Sequence, residues 1–282
     1  MSTPIEADGC DIRSADLYAE GVRWLCAFVL IGVAAAASAA HAQVGEEESP
    51  LQWDDGWRVR EPWDWLAAGV LGAGALTIAL TAESDEGFWV RENALDQAVH
   101  RRLHARTARG RRVASILSDV TQALVVTPAL FADLGLAARA DRELASRLGG
   151  VSALAFATSM FLMTGAKYGF RRERPEGRRC AEGDDEEDCG GGSRYRSFFS
   201  GHSAMAFTAA SLSCTYHLRM PLYGARARDI AACSTAMGFA AVTALLRIVA
   251  EKHHFSDVVV GAIVGFLSGF LLPTSLYFGF RR

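Results

Sequence analysis

A chain of 282 residues that is half hydrophobic, 22% charged and only −3 in net charge has no electrostatic footprint for nucleic acid. No basic stripe interleaved with aromatics runs through it, which excludes that class of partner. Its mean hydropathy of +0.13 is high for so much charge, because long apolar runs alternate with short, densely charged stretches.

In chain order, residues 1–43 read as a signal peptide or an N-terminal anchor. Arg23 precedes the apolar run WLCAFVLIGVAAAASAA, which ends in the small-x-small pattern Ala40-His41-Ala42. Residues 44–62 are polar and read as a solvated linker. Apolar runs then follow at roughly 63–82, 116–138, 144–168, 203–218, 230–250 and 258–278. Each approaches the ~20 residues that cross about 30 Å of hydrocarbon. The fold class expected over 63–282 is therefore all-α, an integral membrane bundle of about six transmembrane helices. Trp63, Trp65 and Trp89 bracket the first run as interfacial anchors. The stretches GVLGAGAL and GAIVGFLSGF suit close helix packing in lipid.

Between the first two runs, DQAVHRRLHARTARGRR is basic and helix-periodic, as for a helix lying in the membrane interface. His100 and His104 share a face there, but no third ligand is near in sequence, so the face reads as solvated and no metal site is expected. Asp133 is an unusual intramembrane carboxylate, expected to bond within the bundle. Of the six cysteines, Cys10 and Cys26 lie in the leader, and Cys214 and Cys233 lie in apolar runs as inert core thiols. Cys180 and Cys189 bracket the acidic loop AEGDDEED and would form a disulfide if that loop faces an oxidising compartment.

Three polar groups sit at the ends of the last four runs. In the first, Lys167 and Arg174 are seven residues apart, two helical turns, so on a continuous helix they project from one face about 10 Å apart. Pro175 would end that helix. Alone, the pair reads as snorkelling positive charge. In the second, Ser200-Gly201-His202 opens an apolar run. Serine is a favoured N-cap, and glycine lets a backbone N–H approach a ligand. In the third, His253 and Asp257 are four apart, so on a helix the carboxylate would fix the imidazole tautomer and free the other nitrogen as a nucleophile. Arg247 adds a guanidinium suited to gripping phosphate oxygens in two places. His254 would point about 100° away on the same helix and is not expected to be catalytic.

In order and spacing, Lys-x6-Arg-Pro, Ser-Gly-His and Arg-x5-His-x3-Asp resemble the three-part signature of the type 2 phosphatidic acid phosphatase superfamily. That superfamily holds lipid phosphate phosphatases, undecaprenyl-pyrophosphate phosphatases, bacterial acid phosphatases and vanadium haloperoxidases. Two positions depart from the usual pattern: Phe199 stands where proline precedes Ser-Gly-His, and Leu246 where serine precedes the arginine.

The resemblance implies that Lys167, Arg174, Ser200, Gly201 and Arg247 bind phosphate, with His253 as nucleophile, Asp257 as its orienting partner and His202 as general acid and base. It implies hydrolysis of the phosphate or diphosphate of a phosphorylated lipid through a phospho-histidine, with no cofactor and no metal. The alternatives are a lipid phosphotransferase using the same intermediate and a non-catalytic membrane protein that binds anionic lipid. The partners expected are the lipid substrate and membrane lipids.

An even number of runs separates the first motif from the third, so all three fall on one membrane face. In the family's six-span members that face is periplasmic or lumenal, implying a bacterial inner-membrane protein with a periplasmic site. The loop HLRMPLYGARARD and Arg281-Arg282 on the opposite face fit the positive-inside rule; the basic 97–112 segment, on the site's own face, does not.

Overall fold

The computed structural model describes residues 51–82, 86–177 and 193–280. The leader, the Cys180–Cys189 pair and Arg281-Arg282 lie outside the described residues. The helices are α1 (Trp63–Thr81), α2 (Ala94–Leu103), α3 (Ala108–Thr127), α4 (Asp133–Ala140), α5 (Arg142–Phe170), α6 (Gly201–Arg219), α7 (Arg226–Val249) and α8 (Phe255–Phe266). Wider π-type turns at Pro128–Ala132 and Leu267–Leu271 carry α3 into α4 and extend α8 toward Phe278. Among the described residues, five stretches are long and apolar enough to cross a membrane: Trp63–Thr81, Ala108–Ala140, Arg142–Phe170, Arg226–Val249 and Phe255–Phe278. The described residues form an all-α membrane bundle.

The fourth expected run, residues 203–218, became α6, the axis of the bundle, packed by α3, α5, α7 and α8. Its serines and threonines keep it too polar to face lipid, but protein surrounds it and most of its residues are buried. The hydroxyls bond to backbone instead of water: Thr208 donates to the Ala204 carbonyl at 2.8 Å, and Thr215 contacts the Ser211 and Gly269 carbonyls at 2.8 and 3.0 Å. The helix is held close to α8 by Gly261, Gly265 and Gly269, one per turn. A Cβ on Gly261 would come within 2.6 Å of the Ser200 carbonyl oxygen, and the other two would press on the Ala204 and Thr208 carbonyls. This contact fixes the start of α8, just beyond His253, against the start of α6.

Several expectations change. Residues 51–62 are not a solvated linker: Trp53 and Trp57 pack on Phe278 with ring centroids 5.7 and 4.9 Å away, and the Arg58 N–H donates to the Tyr277 carbonyl at 3.0 Å. Apolar tryptophans outweigh the polar average of that stretch. Trp63 and Trp65 are exposed, as anchors should be, but Trp89 turns inward and stacks under the Arg172 guanidinium, 4.1 Å from it.

Cys214 and Cys233 are not separate thiols. The turn at 220–225 folds α7 back along α6 and brings their Cα atoms to 4.4 Å, and the sulfurs are bonded. Reading each apolar run alone cannot show this pairing. Asp133 does bond within the bundle, through His217, whose other ring nitrogen meets Asp229 at 2.5 Å. Lys167 and Arg174 do not share a helix: α5 ends at Phe170, and Arg171 takes a left-handed conformation (φ 41°) before Pro175 is reached. Past that break the Glu173 N–H donates to the Trp89 carbonyl at 3.1 Å.

Candidate active site

The end of α5, the starts of α6 and α8, and the end of α7 meet at one end of the bundle, as the sequence motifs required. Lys167 lies in the last turn of α5, with its ammonium 3.2 Å from where a Cβ on Gly201 would sit. The same Cβ would overlap the Met163 sulfur, so any larger residue here would force the Met163 side chain to move. Ser200 caps α6: its side chain accepts from the Ser203 N–H at 3.4 Å and the Ser203 hydroxyl at 3.1 Å.

His253 is buried, and its Nδ1 lies 2.8 Å from the Ser197 carbonyl. A carbonyl can only accept, so Nδ1 must carry the proton and Nε2 keeps its lone pair. Burial, then the charges of Arg174, Arg247 and Lys167, push the imidazole well below its usual 6.5. The same interactions register that these three cations converge on it. Arg247 is buried with Nη1 3.1 Å from the Ser118 hydroxyl and 3.5 Å from the Asp119 carboxylate. Arg174 touches Glu176 at 3.3 Å. Among the described residues, the Nε of Arg174 and the Nε of Arg247 are both buried without an acceptor. Two orphaned cationic donors beside a neutral imidazole form an anion site, because leaving them dry and unpaired costs free energy that phosphate oxygens would recover.

Asp257 does not bond His253 directly. Its nearer oxygen is 3.9 Å from Nδ1, beyond hydrogen-bond reach. The i,i+4 argument fails because His253 precedes α8, which begins at Phe255. The carboxylate instead accepts from the Ser197 hydroxyl at 2.5 Å and the His254 N–H at 3.0 Å, and pairs with Arg172. It therefore anchors the segment whose carbonyl orients the His253 imidazole. His254 is structural, its Nε2 3.0 Å from the Glu173 carbonyl.

Five contributors escaped sequence reasoning. Arg172 is almost fully buried between Asp96 at 2.6 Å and Asp257 at 2.5 Å. Ser256 closes the network, its N–H and hydroxyl both 2.8 Å from Asp96. Burial pushes Asp96 up, but the Ser256 N–H and Arg172 outweigh it and hold the carboxyl below its usual range. Ser197 supplies the orienting carbonyl, which no side-chain pattern announces. Asp119, on α3, lies 2.8 Å from His202 Nε2. A carboxylate in an apolar run was the available signal for it. The two departures also find their places: Phe199 is buried, and Leu246 packs with Ala114 and Ala250 while Ser115 and Ser118 supply the hydroxyls facing Arg247.

The His254 imidazole is pushed down to about 4, first by burial and then by the Arg172 charge. The unfolded chain takes up a proton there near 6.5 and the folded chain does not. Stability should fall as pH drops through the window from 6.5 to about 4, with His253 acting in the same direction. Thermal midpoints in detergent across that range check the sign. A midpoint that rises on acidification would overturn it.

No curated protein matches this chain significantly. One solved structure, "Crystal structure of Aquifex aeolicus LpxE", is 24% identical, covers 64% of this chain and 96% of its own, and superposes with a TM-score of 0.42. A likeness at that level carries no argument about chemistry. The family model of the PAP2 superfamily matches residues 149–280, the span that holds the end of α5 and all of α6, α7 and α8. These residues, which supply Lys167, Arg174 and Arg247, are the part of the chain that is similar to the PAP2 superfamily.

Proposed function

We propose that the chain is a membrane phosphatase that removes the phosphate or diphosphate of a phosphorylated lipid through a phospho-histidine on His253. The observation that carries this reading is the forced tautomer of His253, with Nε2 unprotonated among three cations and two orphaned guanidinium nitrogens. Lys167, Arg174 and Arg247 hold the phosphoryl oxygens, joined by the Ser200 hydroxyl and the Gly201 N–H. Charge that spreads over those oxygens in the transition state is then met by fixed donors.

The Nε2 lone pair attacks phosphorus, the bond to the leaving oxygen breaks, and His202 gives that oxygen a proton. Burial and the Arg247 charge push the His202 imidazole down to about 4, which makes its proton easy to give up. Asp119 opposes that shift through Nε2 and leaves Nδ1 for the leaving group. Water then attacks the phospho-histidine, His202 takes its proton, and the N–P bond breaks to release phosphate and restore Nε2. A site at one end of a bundle with five membrane-length stretches among the described residues favours a lipid headgroup as substrate. We place the catalytic unit at 63–282 and the site on the periplasmic face of a bacterial inner membrane.

The test is to incubate purified protein with a lipid labelled in its phosphate and quench rapidly. Label bound to protein should be stable in alkali and lost in acid, as an N–P bond is. Label on serine or aspartate chemistry, or none, would sink the reading. Asp119→Asn tests the acid. It should lower kcat about tenfold for an alkyl phosphate and much less for para-nitrophenyl phosphate, whose leaving group needs little protonation. Equal effects on both substrates would remove Asp119 from that role.

A further inference from the structure

Between Ala94 and Val113 the chain carries six arginines and one carboxylate. That carboxylate, Asp96, is buried against Arg172, and Arg111 faces the buried Glu251, 3.6 Å away. The charge left on the surface is therefore all of one sign. Arg101, Arg102, Arg106 and Arg109 are exposed, and none forms an ion pair with a described residue.

Two observations place this patch. The first is depth. Val113, Ile116, Leu117, Val120 and Leu124 are all exposed along α3 and make its lipid-facing stripe. That stripe begins four residues after Arg109, about 6 Å along the helix. Exposed Leu95 and Leu103 are interleaved with the arginines on α2. Guanidiniums directly above an apolar stripe lie where lipid phosphates lie. The second is attachment. The Ala105 N–H donates to the Val249 carbonyl at 3.0 Å, and Glu251, the partner of Arg111, lies on the loop that carries His253. The patch is thus fixed to the rim of the site.

We propose that α2 and the first turn of α3 form a docking surface for anionic lipid headgroups. The four guanidiniums take the phosphates, and Leu95 and Leu103 enter the acyl boundary. The surface deepens the reading of the site: it gathers anionic lipid beside an enzyme whose substrate is anionic, and it rests on that reading only for this consequence. Headgroup binding itself does not need chemistry at His253.

The full chain is reconstituted in phosphatidylcholine bilayers with a trace of spin-labelled phosphatidylglycerol or spin-labelled phosphatidylcholine, and the motionally restricted fraction of each is read. The wild type should prefer the anionic probe at least about five-fold, which is what one cation contributes at an anionic surface. Salt at about 0.5 M should erase most of that preference. R101Q/R102Q/R106Q/R109Q should lose it, and the corresponding four lysine replacements should keep it. If the quadruple variant does not fold, the pairs R101Q/R102Q and R106Q/R109Q should each lose part. An unchanged preference in these variants overturns the proposal, as does full displacement of the lipid probe by inorganic tripolyphosphate. His253→Ala should leave the preference intact, so a failed surface and a failed active site give different results.

Discussion

Replacing His253 with alanine should lower kcat about 10³-fold or more and remove acid-labile label from the protein, with KM changed little. The asymmetry follows from the division of labour at the site. Lys167, Arg174 and Arg247 remain to hold the phosphoryl oxygens, so ground-state binding survives, while the atom that forms a bond to phosphorus is gone. The residual rate would come from those cations acting on water. His253 is buried but contacts the fold mainly through one bond to the Ser197 carbonyl, so the variant should still fold. A fall of less than tenfold, or label that persists, would show that another group is the nucleophile. The pH dependence adds a second check. Burial and three nearby cations hold the imidazole well below 6.5, so the nucleophile stays unprotonated on mild acidification. The acid limb of kcat/KM that reports it should fall below pH 6.5, and a limb above that value would contradict the site.

Replacing Arg172 with methionine should be the most damaging single change to the fold. Its guanidinium lies between Asp96 and Asp257 with almost no exposure. Without it two carboxylates are left dry and uncompensated, and breaking a buried pair in this way costs about 3–5 kcal/mol. That is a large share of the stability of an ordinary domain. Adding Asp96→Asn should recover part of the loss by removing one stranded charge. Arg172→Lys should fall between, since it keeps the charge and loses the fork. Thermal midpoints of the purified chains in one detergent decide this. Equal midpoints for wild type and Arg172→Met would mean that the network contributes nothing.

Much of the candidate site was legible because the phosphate chemistry proposed for it constrains residue types. Lys167, Arg174, Ser200, Gly201, His202, Arg247 and His253 are polar groups at the ends of apolar runs, where a soluble core would not put them. What failed were inferences that assumed continuous helices. Lys167 and Arg174 approach the same pocket from either side of a break at Arg171, and Asp257 cannot reach His253 because the helix begins after it. Asp119 and Arg172 were missed for a different reason. Their partners lie 83 and 85 residues away, and no local pattern encodes a contact at that range.

The sequence by itself determined the apolar runs, the small-residue faces that let them pack, and the charged set gathered at their ends. These follow from composition and short spacing, which act locally. Only the tertiary structure decided which atom holds His253 Nδ1, which carboxylate meets His202, and that Cys214 meets Cys233. Each of those depends on two segments being brought together by packing, and in the decisive case on a backbone carbonyl, a group every residue carries and no sequence can single out.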